Sequence, residues 1–128
     1  MVFGKFILSI MIQEDYVSFE TAKLLKEKWF KSNDCHTAYD ENGQFFWYGD
    51  YSNDRKGVVD APTLQMAMKW LRQVHHIFIQ VELYSKYDEY CFELFQNTHR
   101  LILEKHETYN KYEEACDAAI KYCLENLI

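Results

Sequence analysis

Two adjacent pairs of residues carry side chains that could support catalysis or metal binding. One is Cys35-His36, a thiol beside an imidazole, and the other is His75-His76. A cysteine acts as a nucleophile only as a thiolate, which needs a nearby base and an electropositive pocket. Because the acidic Asp34 precedes Cys35, we expect an inert thiol. His75-His76 ends a predicted helix, where a protonated imidazole suits the helix dipole, so capping is favoured over metal ligation.

Three glutamates form the next candidate site. Glu82, Glu93 and Glu104 fall on the outward face of three predicted strands, with Glu82 expected opposite Glu93. Like charges directly opposite each other destabilise a sheet. The carboxylates could hold Mg²⁺ or Ca²⁺, which prefer oxygen ligands, or they could bind a basic partner. A solvated face explains them more simply, so we expect no metal and leave open whether this face binds anything.

The motifs of common enzyme and cofactor sites are missing from the sequence. Only four glycines occur, and none form a G-x-G-x-x-G or phosphate-binding loop. Serine-hydrolase, HExxH and zinc-deaminase signatures are also absent. Cys35, Cys91, Cys116 and Cys123 lack the spacing of a metal site and are expected to be reduced core thiols. We therefore expect a non-catalytic protein without a cofactor.

The distribution of charge argues against binding to double-stranded nucleic acid. The chain of 128 residues has a net charge of −6. Residues 1–76 carry nine basic and ten acidic side chains, whereas residues 77–128 carry five basic and ten acidic ones. Lysine and arginine supply affinity by neutralising phosphates, so the C-terminal half would repel a duplex. Aromatic residues reach 17%, which is typical of amphipathic core edges or of a binding surface.

An apolar segment, residues 2–12, opens the chain. It lacks the cleavage site of a signal peptide and is too short to span a bilayer, so we expect a cytoplasmic protein without membrane contact. Two interpretations of the segment remain open. It could form an additional buried strand, or Met11 could be the natural start and residues 1–10 an upstream extension.

Apolar residues at helical spacing predict three helices. Ser18 is expected to cap a helix over residues 19–29, and Pro62 to stand in the first turn of a helix over residues 63–75. The last helix is expected to begin at Asn110, with a glutamate three residues later as a capping box. The predicted buried stripes are Phe19, Ala22, Leu25 and Trp29; Leu64, Ala67, Leu71 and Val74; and Tyr112, Ala115, Cys116, Ala119, Cys123 and Leu127.

An aromatic hairpin is predicted between the first two helices. Asn42-Gly43 lies between residues 37–39 and 44–48, and Asn-Gly between apolar runs favours a type I′ turn, in which both central residues have positive φ. A polar loop, residues 49–57, follows. Both faces of the second strand are aromatic, although a strand with one wet face should alternate with polar residues. One aromatic face is therefore either covered or open to a partner.

Three more strands are predicted as a meander over residues 77–84, 90–95 and 100–104. Matching the inward residues places Leu83 opposite Phe92 and Leu94 opposite Leu101. The sequence therefore predicts a single α+β domain over residues 1–128, with the order α-ββ-α-βββ-α. We expect an antiparallel sheet with the helices packed on one face.

Three strings give the chain a family resemblance. They are YVSFETAKLLKEK at 16–28, APTLQMAMKWLR at 61–72, and a C-terminal segment at 108–128 that contains YEEA. The chain resembles small uncharacterised proteins of phages and prophages of gut Bacteroidales. The resemblance implies a mobile-element origin and a place in the host cytoplasm, but no activity. Trp29 stands where that pattern usually has glycine, so the end of the first helix is expected to differ here.

The order helix, three strands, helix is also similar to that of double-stranded-RNA-binding domains. That similarity is one of topology alone. Those domains bind RNA through basic helix ends and loops, whereas the corresponding helix here begins with Glu113-Glu114. Binding to double-stranded nucleic acid is therefore not expected.

A binding site is predicted at the end of the hairpin and in the loop that follows it. Flat rings beside charges of both signs suit protein recognition, and loops on rigid supports commonly carry binding. An ordinary polar loop over a buried hairpin is the simpler alternative. We expect a host or phage protein as partner; a nucleotide-like ligand stacked on an aromatic ring is the alternative, and an enzyme of unrecognised type is third. The predicted binding residues are Trp47, Tyr48, Asp50, Tyr51, Asp54, Arg55 and Lys56.

Overall fold

The computed structural model describes residues 12–49, 56–84, 86, 88–97 and 100–128. The predicted α+β class and the order α-ββ-α-βββ-α are confirmed, and β3 is a short addition that the sequence pattern does not predict. Residues 1–11, with the strand suggested for them, lie outside the described residues. The elements are α1 Phe19–Glu27, β1 Thr37–Tyr39, β2 Phe45–Trp47, β3 Val59–Asp60, α2 Leu64–His75, β4 Ile77–Tyr84, β5 Glu89–Gln96, β6 Arg100–Tyr109 and α3 Tyr112–Asn126.

The strands form two antiparallel sheets where the sequence suggests one. The strand order is β2-β1-β3 in the first sheet and β4-β5-β6 in the second. α2 and α3 pack on the second sheet, and α1 packs on α3 and on β3. α1 therefore connects the small first sheet to the helical layer that covers the second.

The core lies where the helices meet the second sheet. Phe92, Leu94 and Leu71 are fully buried there. The predicted stripes hold at their centres but are wrong at three helix ends, since Trp29 is 82% exposed, Val74 55% and Tyr112 38%. α1 has already ended before Trp29, so its side chain no longer follows the helical path. The predicted stripe members that are buried are Ala22, Leu25, Leu64, Ala67, Leu71, Ala115, Cys116, Ala119 and Cys123.

Two of the three described helices begin as the capping rules predict. The hydroxyls of Ser18 and Thr63 each accept a hydrogen bond from the backbone N–H three residues later. Pro62 thus lies before the cap of α2 and not in its first turn, which corrects the prediction. The cap of α3 is Lys111 without a side-chain hydrogen bond, so the predicted start at Asn110 is wrong by one residue.

The carboxylate of Asp117, on α3, completes the start of α1. It accepts hydrogen bonds from the backbone N–H of Ser18 (2.8 Å), from the Ser18 hydroxyl (2.9 Å) and from the Thr21 hydroxyl (3.1 Å). One turn further along α3, Lys121 pairs with Glu20 at 2.8 Å. These contacts fix α1 against α3.

The register of the second sheet differs from the prediction by two residues. Val81 lies opposite Phe92, and Leu94 lies opposite Leu103. A shift of two residues leaves most side chains on their predicted faces, because side chains alternate with a period of two. Leu101 is an exception: an irregularity between Leu94 and Phe95 places it opposite Phe95, and this residue, predicted to face inward, is 46% exposed. β6 also continues to Tyr109, five residues beyond its predicted end.

The hairpin turn is not of type I′. Gly43 has a positive φ of 80°, whereas Asn42 does not. The backbone N–H of Gly43 donates to the Asp40 carbonyl, and that of Asp40 donates to the Gln44 carbonyl. This pattern is that of a type I turn followed by a left-handed glycine. A side chain at Gly43 would come within 2.9 Å of the Phe19 ring, so the turn rests directly on α1.

Candidate functional site

A row of aromatic rings runs across one face of the first sheet. Tyr39 and Phe45 lie opposite each other, as do Thr37 and Trp47. The ring centroids of Tyr39 and Phe45 are 5.6 Å apart, and those of Phe45 and Tyr16 are 4.8 Å apart. The row begins at α1 and ends at the outer strand of the sheet.

Exposure increases toward the outer end of this row. Tyr39 is half-buried, and its hydroxyl donates to the Val17 carbonyl at 2.6 Å. Tyr16 is 37% exposed, Phe45 46% and Trp47 72%. We call these last three residues the aromatic edge. Large exposed rings placed side by side are the usual mark of a protein-binding surface.

The strand that carries Phe45 and Trp47 is the outermost strand of its sheet. The backbone N–H of Tyr48 donates to the carbonyl of His36 on β1, at 2.9 Å. Inward hydrogen bonds recur at every second residue of an antiparallel strand, so Phe46 forms the next such pair. The backbone N–H and C=O groups of Phe45 and Trp47 therefore point away from β1. None of the described strands pairs with that side of β2.

The indole of Trp47 is held in place despite its exposure. A side chain at Gly49 would come within 3.0 Å of the indole ring, so the ring lies directly over Gly49. Gly49 has a φ of 71°, a conformation that favours glycine. Its carbonyl accepts a hydrogen bond from Nδ1 of His36 at 2.8 Å, which assigns the proton to that nitrogen because a carbonyl can only accept. The exposed ring thus has an ordered support.

A small pocket opens beside Trp47. Its volume is about 150 Å³, which suits one side chain and is well below the roughly 300–1,000 Å³ of pockets for drug-sized ligands. Asp34 contributes its acidic group, and His36 its imidazole. The lining residues are Tyr16, Asp34, Cys35, His36, Thr37, Trp47, Pro62, Thr63 and Met66.

Tyr48, another predicted binding residue, lies on the opposite face of the strand. Its hydroxyl is 2.7 Å from the Cys35 carbonyl and 3.0 Å from Oδ1 of Asp60. Burial, followed by the nearby Cys35 and Asp60, raises the pKa of this phenol. The hydroxyl therefore ties β2 to the rest of the sheet.

The remaining predicted binding residues are only partly described. Lys56 is exposed. Asp50, Tyr51, Asp54 and Arg55 lie outside the described residues, so their role stays a prediction.

The thiol and imidazole candidates lie in settings that suit structural roles. Cys35 is buried, and its thiol donates to the Thr37 carbonyl at 3.4 Å. Burial raises the pKa of Cys35, which opposes thiolate formation. The His75 ring packs against Trp70 at 4.6 Å, and burial lowers its pKa. A lowered pKa opposes protonation of His75, and the helix is capped by His76, which has a left-handed φ of 57° and donates its backbone N–H to the Leu71 carbonyl.

The acidic face of the second sheet is arranged differently from its prediction. Glu82 lies opposite Cys91, and Glu93 lies opposite Gln80 and Glu104, so the predicted Glu82–Glu93 pair is wrong. Glu82 accepts a hydrogen bond from the side chain of Gln80 at 2.6 Å. Within the described part of the chain, no three His, Cys, Asp or Glu residues converge as metal ligands.

An acidic groove with a volume of about 580 Å³ borders the aromatic edge. The groove and the aromatic edge share Tyr16. The sequence gives no reason to select this residue, because its contact with Phe45 depends on tertiary structure. Five carboxylates and one ammonium group line the groove. The lining residues are Asp15, Tyr16, Ser18, Glu20, Leu64, Tyr109, Glu113, Glu114, Asp117, Ala118 and Lys121.

Comparisons with protein families, with curated proteins and with solved structures find no match for this chain. Among the described helices, none has the length and hydropathy required to cross a bilayer. The aromatic edge and its surroundings are therefore the features that bear on function.

Proposed function

We propose that this protein acts by binding a partner protein through the aromatic edge, as a non-catalytic phage or prophage accessory protein in the host cytoplasm. The observation that carries the proposal is the 72% exposure of Trp47 on an outer strand, beside Phe45 and Tyr16. Tryptophan and tyrosine are the residues most enriched among those that dominate binding energy at interfaces. The phage origin rests on the sequence resemblance alone.

The dimensions and charge of the adjacent pocket favour a protein over a nucleotide. A nucleotide stacked on Trp47 would need cationic groups nearby to bind its phosphates. The pocket beside Trp47 instead holds the carboxylate of Asp34, and its 150 Å³ is small for a nucleotide. A side chain of a partner protein fits both its size and its polarity.

Catalysis is supported less well than binding. The thiol closest to the aromatic edge, Cys35, has a raised pKa. Its neighbour His36 has Nδ1 engaged with a backbone carbonyl. This pair supports the local structure of the hairpin and lacks the features of an activated nucleophile.

The test compares two exposed tryptophans that differ in position. Parent protein, Trp47→Ala and Trp29→Ala are each immobilised and exposed to host-cell extract, and retained proteins are identified by mass spectrometry. We expect the parent and Trp29→Ala to retain the same protein, and Trp47→Ala to lose at least about tenfold of it, as for a dominant interface residue. Equal retention by Trp47→Ala at parental stability would contradict the proposal.

A second variant tests the predicted loop. Tyr51→Ala combined with Arg55→Ala should weaken capture of the same protein if the loop extends the binding surface. Unchanged capture by this variant would restrict the site to the aromatic edge.

A further inference from the structure

We infer that the partner binds as an added β-strand on the outward side of β2, through an extended segment of alternating apolar residues with basic residues at one end. This inference rests on the proposed function and specifies its partner. It combines the direction of the β2 backbone groups, the aromatic edge and the charge of the neighbouring groove.

The backbone of β2 has N–H and C=O groups that an added strand could use. The N–H and C=O groups of Phe45 and Trp47 face away from β1 in the observed ladder. Natural outer strands are commonly protected by a charged residue, a proline or a bulge. β2, Phe45-Phe46-Trp47, contains no charged residue, proline or bulge, and its protection among the described residues is its shortness of three residues. An extended peptide can pair with these groups, as in other cases of strand addition.

The side chains define which residues the partner segment needs. In an added strand, every second side chain would point to the face that carries Phe45 and Trp47. Apolar side chains would gain contact there with exposed rings. The pocket beside Trp47, with room for about one side chain, can accept a longer residue from the same segment.

The groove beyond Tyr16 defines the charge of the partner. Lys121 is paired with Glu20 at 2.8 Å, and Asp117 is engaged by the start of α1. Among the lining residues, this leaves three carboxylates, those of Asp15, Glu113 and Glu114, with Lys121 as the single lysine or arginine of the lining. Basic residues that continue the segment past Tyr16 would meet negative charge. A second copy of this chain would instead bring together two molecules of net charge −6.

The experiment uses a displayed library of random nonapeptides, selected on the full-length protein and counter-selected on Trp47→Ala. We expect enriched peptides to alternate apolar residues and to carry lysine or arginine at one end, the same end in all of them. The leading peptide is then synthesised in two forms that carry backbone N-methyl groups at opposite alternating positions. One form should bind at least about tenfold more weakly than the unmodified peptide, and the other should bind like it, because only one set of amides faces β2.

A charge variant tests the basic part of the segment. Glu113→Gln with Glu114→Gln should weaken binding of the same peptide by about threefold to tenfold at low salt, since exposed charge pairs contribute modestly. Lys69→Gln, also an exposed charge on a helix, is the matched control and should change nothing.

The outcomes separate this inference from the proposed function. Binding that Trp47→Ala abolishes but neither N-methylated form weakens would overturn strand addition and leave the proposed function standing. Unchanged affinity in the double glutamine variant would overturn the basic segment. Two other occupants of β2 can be detected directly. A second copy of the chain would give a dimer in sedimentation that Trp47→Ala dissociates, and the segment 2–11 would, as a synthetic copy, displace the peptide. Either result would overturn the inference.

Discussion

The two described sheets of this protein differ in strand length and in burial. The second sheet has strands of eight to ten residues, is covered on one face by two helices and carries glutamates on the other. The first has strands of two or three residues and carries exposed aromatic rings at its outer strand. The difference indicates a division of roles, in which the second sheet stabilises the domain and the first presents a surface.

The largest difference in stability is expected between alanine variants of one phenylalanine from each sheet. Phe92→Ala should destabilise the protein by about 3–5 kcal/mol, because it leaves a cavity in a fully buried site. Phe45→Ala should cost only about 1 kcal/mol, because the ring is 46% exposed. Urea unfolding measures both. Similar costs for the two variants would show that the first sheet is as much a part of the core as the second.

The second-largest expected effect concerns stability and distinguishes Tyr48 on one face of the strand from Trp47 on the other. Tyr48→Phe should reduce stability by about 1–3 kcal/mol, because it removes the hydroxyl whose single proton is shared between the Cys35 carbonyl and Asp60. Capture of the partner should not change, in contrast to Trp47→Ala. Thermal unfolding and the capture assay are measured on the same samples. A stable variant that no longer captures the partner would place Tyr48 in the binding surface.

Trp29 provides a stabilising substitution. Its φ of 67° favours glycine, and its side chain is exposed. Trp29→Gly should therefore stabilise the protein by roughly 0.5–1 kcal/mol. Trp29→Ala keeps the unfavourable conformation and serves as the control in urea unfolding. A loss of stability with glycine would reveal contacts of the indole that compensate for the strained backbone.

The smallest expected effect depends on pH. Burial lowers the pKa of His75 below its ordinary value of 6.5, with a further contribution from His76. As pH falls below 6.5, the unfolded chain binds a proton that the folded protein does not, so stability decreases until the folded pKa is reached. Urea midpoints of the parent and of His75→Leu, measured between pH 7.5 and 5.5, show how much of the pH dependence of stability comes from His75. A parental slope in that variant would assign the pH dependence to other groups.

Local patterns were sufficient to predict most of the fold. Ser18 marks the start of α1, and the alternation from Ile77 onward gives β4 its observed bounds. The register was wrong by two residues because alternation determines the face of a side chain but not its partner across the sheet. Asn42-Gly43 located the turn but not its type, because Phe19 and the carboxylate of Asp40 also shape it.

The candidate site was predicted less completely than the fold. Aromatic residues on both faces of β2 identified the strand, and Trp47 is exposed there. The sequence could not distinguish Trp47 from Tyr48, because that depends on which face receives Asp60. Tyr16 was missed because its place beside Phe45 follows from the bridge between Tyr16 and Thr63, far apart in the chain.

The hydrogen bonds of Asp117 also affect the order in which the chain can fold during synthesis. Ser18 and its acceptor on α3 are 99 residues apart. At about 5–20 residues per second, a ribosome adds Asp117 roughly 5–20 s after Ser18. During that interval α1 has neither its carboxylate partner nor the helix that covers its apolar side. The first of the described helices to be synthesised is therefore completed late, and its apolar face stays uncovered until α3 has been made.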